Sequence, residues 1–307
     1  MRKARALTSR RCLRRWAMIN PSRQTLALGQ GDVSQLVWEN DAPLLHFAHA
    51  TGFNAETYRG MLSPLANHFR IVASDARGHG STALPTEPGM PRGWKIFRDD
   101  LIAVLDRIAP NGAILAGHSM GGAVSLMAAA ARPDKVKSLV LVEPVLMPRA
   151  LWWRMLLVRL GLRAAEPGLA ERALKRRDVF PSLEMAMAAY KGRGAFATWP
   201  PETISDYING GFEPVGGGFR LRCRPQWESE IFRSAPLGVS GFAARIRCPL
   251  TIIHGEFAST SSAGELDTIR RLYPSARIVG QKGASHFLPM EYPQLVRDEI
   301  LRSAAAL

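Results

Sequence analysis

Residues Gly117–Gly121, "GHSMG", fit the pattern G-x-S-x-G, with the apolar run "GAILA" before them and the Ala-rich stretch "AVSLMAAAARP" after them. On a sharp strand-to-helix turn, Ser119 adopts a strained backbone that the flanking glycines permit by removing side chains that would clash. Its hydroxyl then projects above the sheet edge, where the next helix aims free N–H groups at any developing negative charge. The plainer alternative is an ordinary Gly-rich turn with a helix-capping serine. A serine hydroxyl is a poor nucleophile near neutral pH, so the catalytic reading also requires a base.

Seven histidines are candidates for that base. His118 neighbours Ser119 and should point away from it. His46 and His254 lie in apolar, strand-like runs, as core histidines do, and His68 ends an amphipathic stretch at the surface. His49 and His79 sit in loops after strands, where they can form the walls of a site. His286, in "GASHFLPMEYP", falls on a polar loop between the last predicted strand and the last predicted helix. Placed that late, it can fold back over the C-terminal edge of a sheet, and it is the candidate base.

One carboxylate is also out of place. Glu143 stands within "SLVLVEPVLMP", Ser138–Pro148, an apolar run that reads as a strand buried on both faces. An ionised group there is costly unless paired. Its partner is either His286 or, for a purely structural acid, backbone N–H groups or an arginine.

The elements that must position these residues alternate. "PLLHFAHA" (Pro43–Ala50) and "RIVASDARGHG" (Arg70–Gly80) each begin as a strand and lead into polar residues and glycine, Thr51 and Gly52 following the first. "WKIFRDDLIAVLDRIAP" carries Phe97, Leu101, Val104, Leu105 and Ile108 near helical spacing, and Pro110 and Asn111 stop it. Strand, helix and strand follow to Pro148. The rhythm breaks from Ala150 to about Gly241, where there are helix-like pieces, Gly-rich turns ("NGGFEPVGGGF") and no clear strand series. It resumes with a strand at "CPLTIIHGE", a helix over "GELDTIRRLY", a strand at "ARIVG" and a last helix from Tyr292. This predicts an α/β fold: a mostly parallel, doubly wound sheet with helices on both faces, interrupted by an inserted, mainly helical cap. The expected organisation is a basic tail at 1–20, a core at 21–147 and 242–307, and a cap at 148–241.

The 307 residues, 47% hydrophobic and 21% charged, suffice for one large domain with an insertion. Cys12, Cys223 and Cys248 are odd in number and widely spaced, which implies neither a disulfide framework nor a zinc site and favours a reducing, cytoplasmic home. No apolar run approaches the roughly 18 residues of a transmembrane helix. The net charge of +14 is partly local, because seven of the 40 basic residues lie in the acid-free "MRKARALTSRRCLRR". That segment lacks the apolar core of a secretory signal. It reads as a disordered tail or as sequence upstream of a true start at Met18, with organelle targeting the less favoured reading. The remaining basic excess is spread along the chain without interleaved aromatics, so no nucleic-acid partner is expected. No metal-ligand spacing or phosphate-binding glycine loop is present, so neither metal nor cofactor is expected.

Four blocks together resemble the α/β-hydrolase superfamily in its capped serine-hydrolase form. "HATGFNAETY" is similar to the oxyanion-hole loop, "DARGHGST" to the D-x-R-G-x-G-x-S turn, "GHSMGG" to the nucleophile elbow and "SHFLPMEYP" to the histidine loop, all in the family's order. The resemblance implies a catalytic triad in the order Ser…acid…His, with the backbone N–H groups of Phe53 and Met120 as oxyanion donors. It also exposes a departure. In most relatives the acid follows the strand after the cap, commonly as Asp in a G-x-x-D turn, but here "HGEFASTSS" puts Ala258 at that position. Without a carboxylate partner an imidazole is poorly held in its tautomer, and its charged form goes unstabilised. Glu256, one residue past Gly255, is either the alternative acid or a solvated turn residue. A subset of capped relatives supplies the acid from the strand end after the nucleophile's helix, in similar E-x-x-x-x-P surroundings, which is where Glu143 stands. The expected triad is therefore Ser119, His286 and Glu143.

A serine nucleophile implies acyl transfer through a tetrahedral intermediate, unlike the Asp-dependent dehalogenases and epoxide hydrolases of this fold. The expectation is a serine hydrolase that cleaves a carboxylic ester or thioester of a small, largely apolar substrate through an acyl-enzyme. The alternatives are carbon–carbon bond hydrolysis, amide hydrolysis or acyl transfer by the same residues, and a non-catalytic ligand-binding protein of the same fold. The cap opens on "LWWRMLLVRLGLR", with Arg154, Arg159 and Arg163 among apolar residues on nearly every side. It either packs on the core with snorkelling arginines or forms an apolar lid over an acyl pocket, with weak membrane-surface contact as a variant. Phe53, Met120, Trp152 and Phe287 are the expected pocket lining.

Overall fold

A computed structural model describes residues 19–148 and 168–307, together with Leu151, Trp153 and Leu160. The expectations for the tail at 1–18, for Trp152 and for Arg154, Arg159 and Arg163 fall outside the described residues. The strands are β1 (Ser22–Leu28), β2 (Gly31–Trp38), β3 (Leu44–Ala48), β4 (Arg70–Ser74), β5 (Ala113–His118), β6 (Val136–Val142), β7 (Val179–Phe180), β8 (Phe212–Val215), β9 (Gly218–Leu221), β10 (Leu250–Gly255) and β11 (Arg277–Gln281). The longer helices are α1 (Lys95–Ile108), α2 (Met120–Ala131), α3 (Leu183–Tyr190), α4 (Pro201–Gly211), α5 (Pro225–Arg233), α6 (Ala263–Leu272) and α7 (Pro293–Ala305).

Short runs of Val, Ile and Leu build the main sheet, whose order is β1-β2-β4-β3-β5-β6-β10-β11. Neighbours from β4 to β11 along this order are parallel, and β2 runs antiparallel to both β1 and β4. Side chains alternate between the two faces of a strand, so each central strand feeds two cores. Ile114, Ala116, Val140, Val142 and Ile253 pack with Leu62, Leu65, Val296 and Ile300. Leu115, Leu139, Leu141, Leu250 and Ile252 pack with Phe97, Leu101, Leu126 and Ile269. Burying one such leucine fully stabilises the fold by roughly 1.5–3 kcal/mol. This two-sided burial makes the sheet centre a rigid mount.

Register decides what sits on that mount. His118 is aligned with Val142, and Val142 with Ile253. Ser119 and Glu143 therefore leave the sheet together at its C-terminal edge, where β10 runs on to Gly255 beside them; this is the edge where open α/β sheets hold their ligands.

Two features differ from the sequence expectation. The β1–β2 hairpin precedes the first anticipated strand. β1 is an edge strand exposed along most of its length, and "SRQTLAL" lacks the apolar run that marks the buried strands. The segment between β6 and β10 also holds a three-stranded antiparallel sheet, β7-β9-β8, besides its helices. Its β8–β9 hairpin closes on Gly216 and Gly217, the latter at φ +84°. Such a Gly-Gly turn is easily read as loop when the strands beside it are only four residues long. Aromatic residues of this segment, Phe180, Phe196, Trp199, Tyr207 and Phe212, continue the core that contains Tyr58 and Leu62. Among the described residues, no helix is long and apolar enough to cross a membrane.

Candidate active site

Ser119 joins β5 to α2 with φ +56° and ψ −117°, a region costly for a residue with a side chain. Its neighbours make the turn sterically feasible. A Cβ on Gly117 would lie 2.6 Å from the Gly121 carbonyl carbon, and one on Gly121 would lie 2.2 Å from the Ala48 oxygen. Backbone bonds pin the bend, with Ser119 N–H donating to Val142 O (3.0 Å) and Val145 N–H to Ser119 O (3.2 Å).

The residues proposed from sequence as nucleophile, base and acid converge at this edge. Ser119 Oγ lies 3.0 Å from His286 Nε2, and His286 Nδ1 lies 3.1 Å from Glu143 Oε2. Glu143 is fully buried and leaves β6 at φ +48°. Its Oε1 accepts from Gly255 N–H (2.5 Å) and the Ser259 hydroxyl (2.8 Å), and its Oε2 accepts from Thr260 N–H (3.0 Å). Burial alone would raise the Glu143 carboxyl. The bonds from His286, Gly255 and Ser259 and the His286 charge outweigh it and hold the group below the usual carboxylate range. With acceptors only on Glu143, His286 keeps its proton on Nδ1 and leaves Nε2 free to take one from Ser119.

The other candidate acid goes elsewhere. Glu256 is exposed and accepts from Gly283 N–H at 2.9 Å. The stretch "ASTSS", which lacks the usual Asp, instead donates Ser259 and Thr260 to Glu143. Their part was not anticipated, although a hydroxyl-rich stretch at the position of a missing acid is a usable signal. Glu291 was also missed: it accepts from Ser285 N–H and Ser285 Oγ, both at 2.7 Å, and so braces the loop that carries His286.

The two expected oxyanion donors differ in state. Met120 opens α2, so its N–H has no intrahelical acceptor. Phe53 N–H closes a turn onto Ala50 O at 3.1 Å, so it can serve an oxyanion only as a shared or released donor. Of the expected lining, the Phe53 and Phe287 rings lie 6.3 Å apart, with Trp199 edge-on to them at 5.1 and 5.7 Å. Tyr207 also meets Phe53, at 5.9 Å. Met120 differs: its side chain packs on the opposite face of the sheet, against a cavity of about 50 Å³ that His46, His49 and Phe97 also line. Trp199 and Tyr207 replace it in the aromatic wall. They come from the segment whose sequence showed no nameable motif.

The pattern of the alpha/beta hydrolase family matches residues 47–299, and the chain belongs to that family. It is a hydrolase. It is 26% identical over 259 residues to 2-(acetamidomethylene)succinate hydrolase of Mesorhizobium japonicum, covering 84% of this chain and 86% of that one. Among solved structures it is similar in fold to E-2-(acetamidomethylene)succinate hydrolase, with a TM-score of 0.75 and 23% identity over 93% of this chain and 100% of that one. It is also similar to the thioesterase domain from the curacin biosynthetic pathway, with a TM-score of 0.73 and 21% identity over 92% and 99% of the two chains.

Proposed function

We propose that this hydrolase is a serine acyl hydrolase that cleaves a carboxylic ester or thioester of a small, largely apolar substrate through an acyl-enzyme. The observation that carries the reading is the unbroken run Ser119 Oγ–His286–Glu143, with spacings of 3.0 and 3.1 Å. Ser119 attacks the acyl carbon while His286 Nε2 takes its proton, and the fully buried Glu143 stabilises the imidazolium. The Met120 N–H and, once released from Ala50, the Phe53 N–H receive the oxyanion. His286 then protonates the leaving group, and water activated by the same nitrogen frees the acid. Residues 148–241 act as a cap whose Trp199 and Tyr207, with Phe53 and Phe287, favour an apolar substrate. The chemistry needs no cofactor or metal. The free, buried Cys223 and Cys248 suit a reducing, cytoplasmic setting.

A second reading is amide hydrolysis by the same residues, favoured by the acetamido compound in the name of the Mesorhizobium relative. Turnover of p-nitrophenyl acetate and butyrate, an acetyl thioester and p-nitroacetanilide separates the two. The ester reading expects ester or thioester turnover to exceed anilide turnover by at least about 10²-fold and Ser119→Ala to lose about 10³-fold or more. Preferential anilide cleavage would move the assignment to the second reading. Ester turnover that survives Ser119→Ala would end both.

A further inference from the structure

His118 and Tyr58 are buried beside the reacting groups, and the mechanism above uses neither. Ala50 N–H lies 3.1 Å from Tyr58 Oη, Tyr58 Oη 2.7 Å from His118 Nδ1, and His118 Nε2 2.8 Å from His286 O. The two ends fix the direction of every bond. An amide can only donate and a carbonyl can only accept, so Tyr58 accepts from Ala50 and gives its one proton to His118 Nδ1. His118 is then neutral and spends its Nε2 proton on the His286 carbonyl. Burial, reinforced by the neighbouring His286, drives the His118 ring well below the usual histidine range, consistent with that neutral form.

We propose that His118 and Tyr58 are positioning residues: their hydrogen-bond chain from the Ala50 amide to the His286 carbonyl sets the spacing of oxyanion loop, nucleophile and base. The proposal rests on the reading of Ser119 as nucleophile. Each link acts on one of the three parts. Ala50 O receives the Phe53 N–H, so Ala50 carries that oxyanion donor with it. His118 directly precedes Ser119, and the accepting carbonyl is that of the base itself. Neither side chain hydrogen-bonds Ser119 Oγ or a ring nitrogen of His286, although the His118 and His286 rings lie 5.0 Å apart. The effect therefore runs through alignment, where a displacement of about 1 Å costs on the order of 10²-fold in rate. The loop keeps a separate tether, Gly52 N–H to His79 Nε2 at 3.0 Å. Removing the Tyr58 hydroxyl therefore loosens alignment without freeing the loop.

The test measures the second-order rate at which a fluorophosphonate phosphonylates Ser119, together with kcat and KM on p-nitrophenyl acetate. Tyr58→Phe removes the hydroxyl alone and keeps the ring. It should slow phosphonylation and kcat about 10-fold or more while KM stays within about twofold. His118→Leu should cost about 10–10²-fold. His118→Gln, whose amide can accept from Tyr58 and donate to the His286 carbonyl, should recover most of that loss. Wild-type rates in folded Tyr58→Phe, or no recovery by His118→Gln over His118→Leu, overturn the proposal. If His118→Leu does not fold, Tyr58→Phe decides alone. Wild-type protein that is not phosphonylated at Ser119 overturns the nucleophile reading, and the proposal falls with it.

Discussion

Replacing Glu143 by glutamine exchanges one oxygen for an NH2 group with almost no change in shape. The carboxylate accepts from Gly255 N–H and Ser259 through Oε1, and from Thr260 N–H and His286 Nδ1 through Oε2. If the amide oxygen keeps the Gly255 side, its NH2 faces Thr260 N–H and His286. The imidazole can then only accept at Nδ1, so its proton moves to Nε2 and blocks transfer from Ser119. A wrong tautomer of this kind costs about 10⁴-fold in kcat, or ~5.4 kcal/mol. If the amide turns the other way, the tautomer survives. The NH2 then opposes the Gly255 amide at a cost of about 1–3 kcal/mol, and the imidazolium still loses its counter-charge. The expected fall in kcat is therefore about 10³–10⁴-fold, with KM little changed. The assay is steady-state turnover of p-nitrophenyl acetate at pH 8, beside a thermal melt to verify folding. Glu256→Gln, whose parent side chain touches Gly283 and not His286, should stay within about threefold of wild type. A folded Glu143→Gln within tenfold of wild type, with the loss appearing in Glu256→Gln, would refute the assignment of the acid.

Other outcomes follow from the same geometry. Gly121→Ala puts a Cβ 2.2 Å from Ala48 O and 2.6 Å from His49 O, both backbone atoms, so the melting temperature and turnover should fall together. An unchanged melt would contradict the close approach. The Glu143 carboxyl is held below its unfolded value of about 4.3, so its stabilising contribution is complete above that pH and fades as pH falls through the folded value. In acid melts the wild type should therefore lose its stability advantage over Glu143→Gln below about pH 4.3. Asp206 on α4 behaves oppositely. Burial first, then the charge of Glu56, raises its carboxyl to about 6, so its ionisation destabilises the fold as pH rises from about 4 towards 6. Asp206→Asn should melt higher than wild type at pH 8 and alike near pH 4. A constant difference across that range would contradict it.

The parts of the fold legible in the sequence are those with a single physical cause. Continuous Val, Ile and Leu runs identify β5, β6 and β10 because both faces of those strands are covered, and the G-x-S-x-G turn stands out because bulkier flanking residues would collide with backbone. Glu143 was conspicuous for the same reason, as a carboxylate in an apolar strand. What escaped notice depends on neighbours distant in sequence. β1 is marked by pairing with β2 and not by apolarity, and the β8–β9 strands are too short to show a period. The Met120 side chain could be placed only once the turn of α2 sent it to the far face. Trp199 and Tyr207 meet Phe53 across more than 140 residues of chain, and no local pattern announces that.

The measurement closest to the central claim is an acid quench within milliseconds of mixing with p-nitrophenyl acetate, followed by peptide mapping of the trapped acyl group. A single acetyl group on the peptide carrying Ser119, missing in Ser119→Ala and formed far more slowly in His286→Ala, is the predicted result. Rapid release of p-nitrophenol with no acetyl on that peptide, or with the acetyl on another residue, would contradict a serine activated by His286 and Glu143.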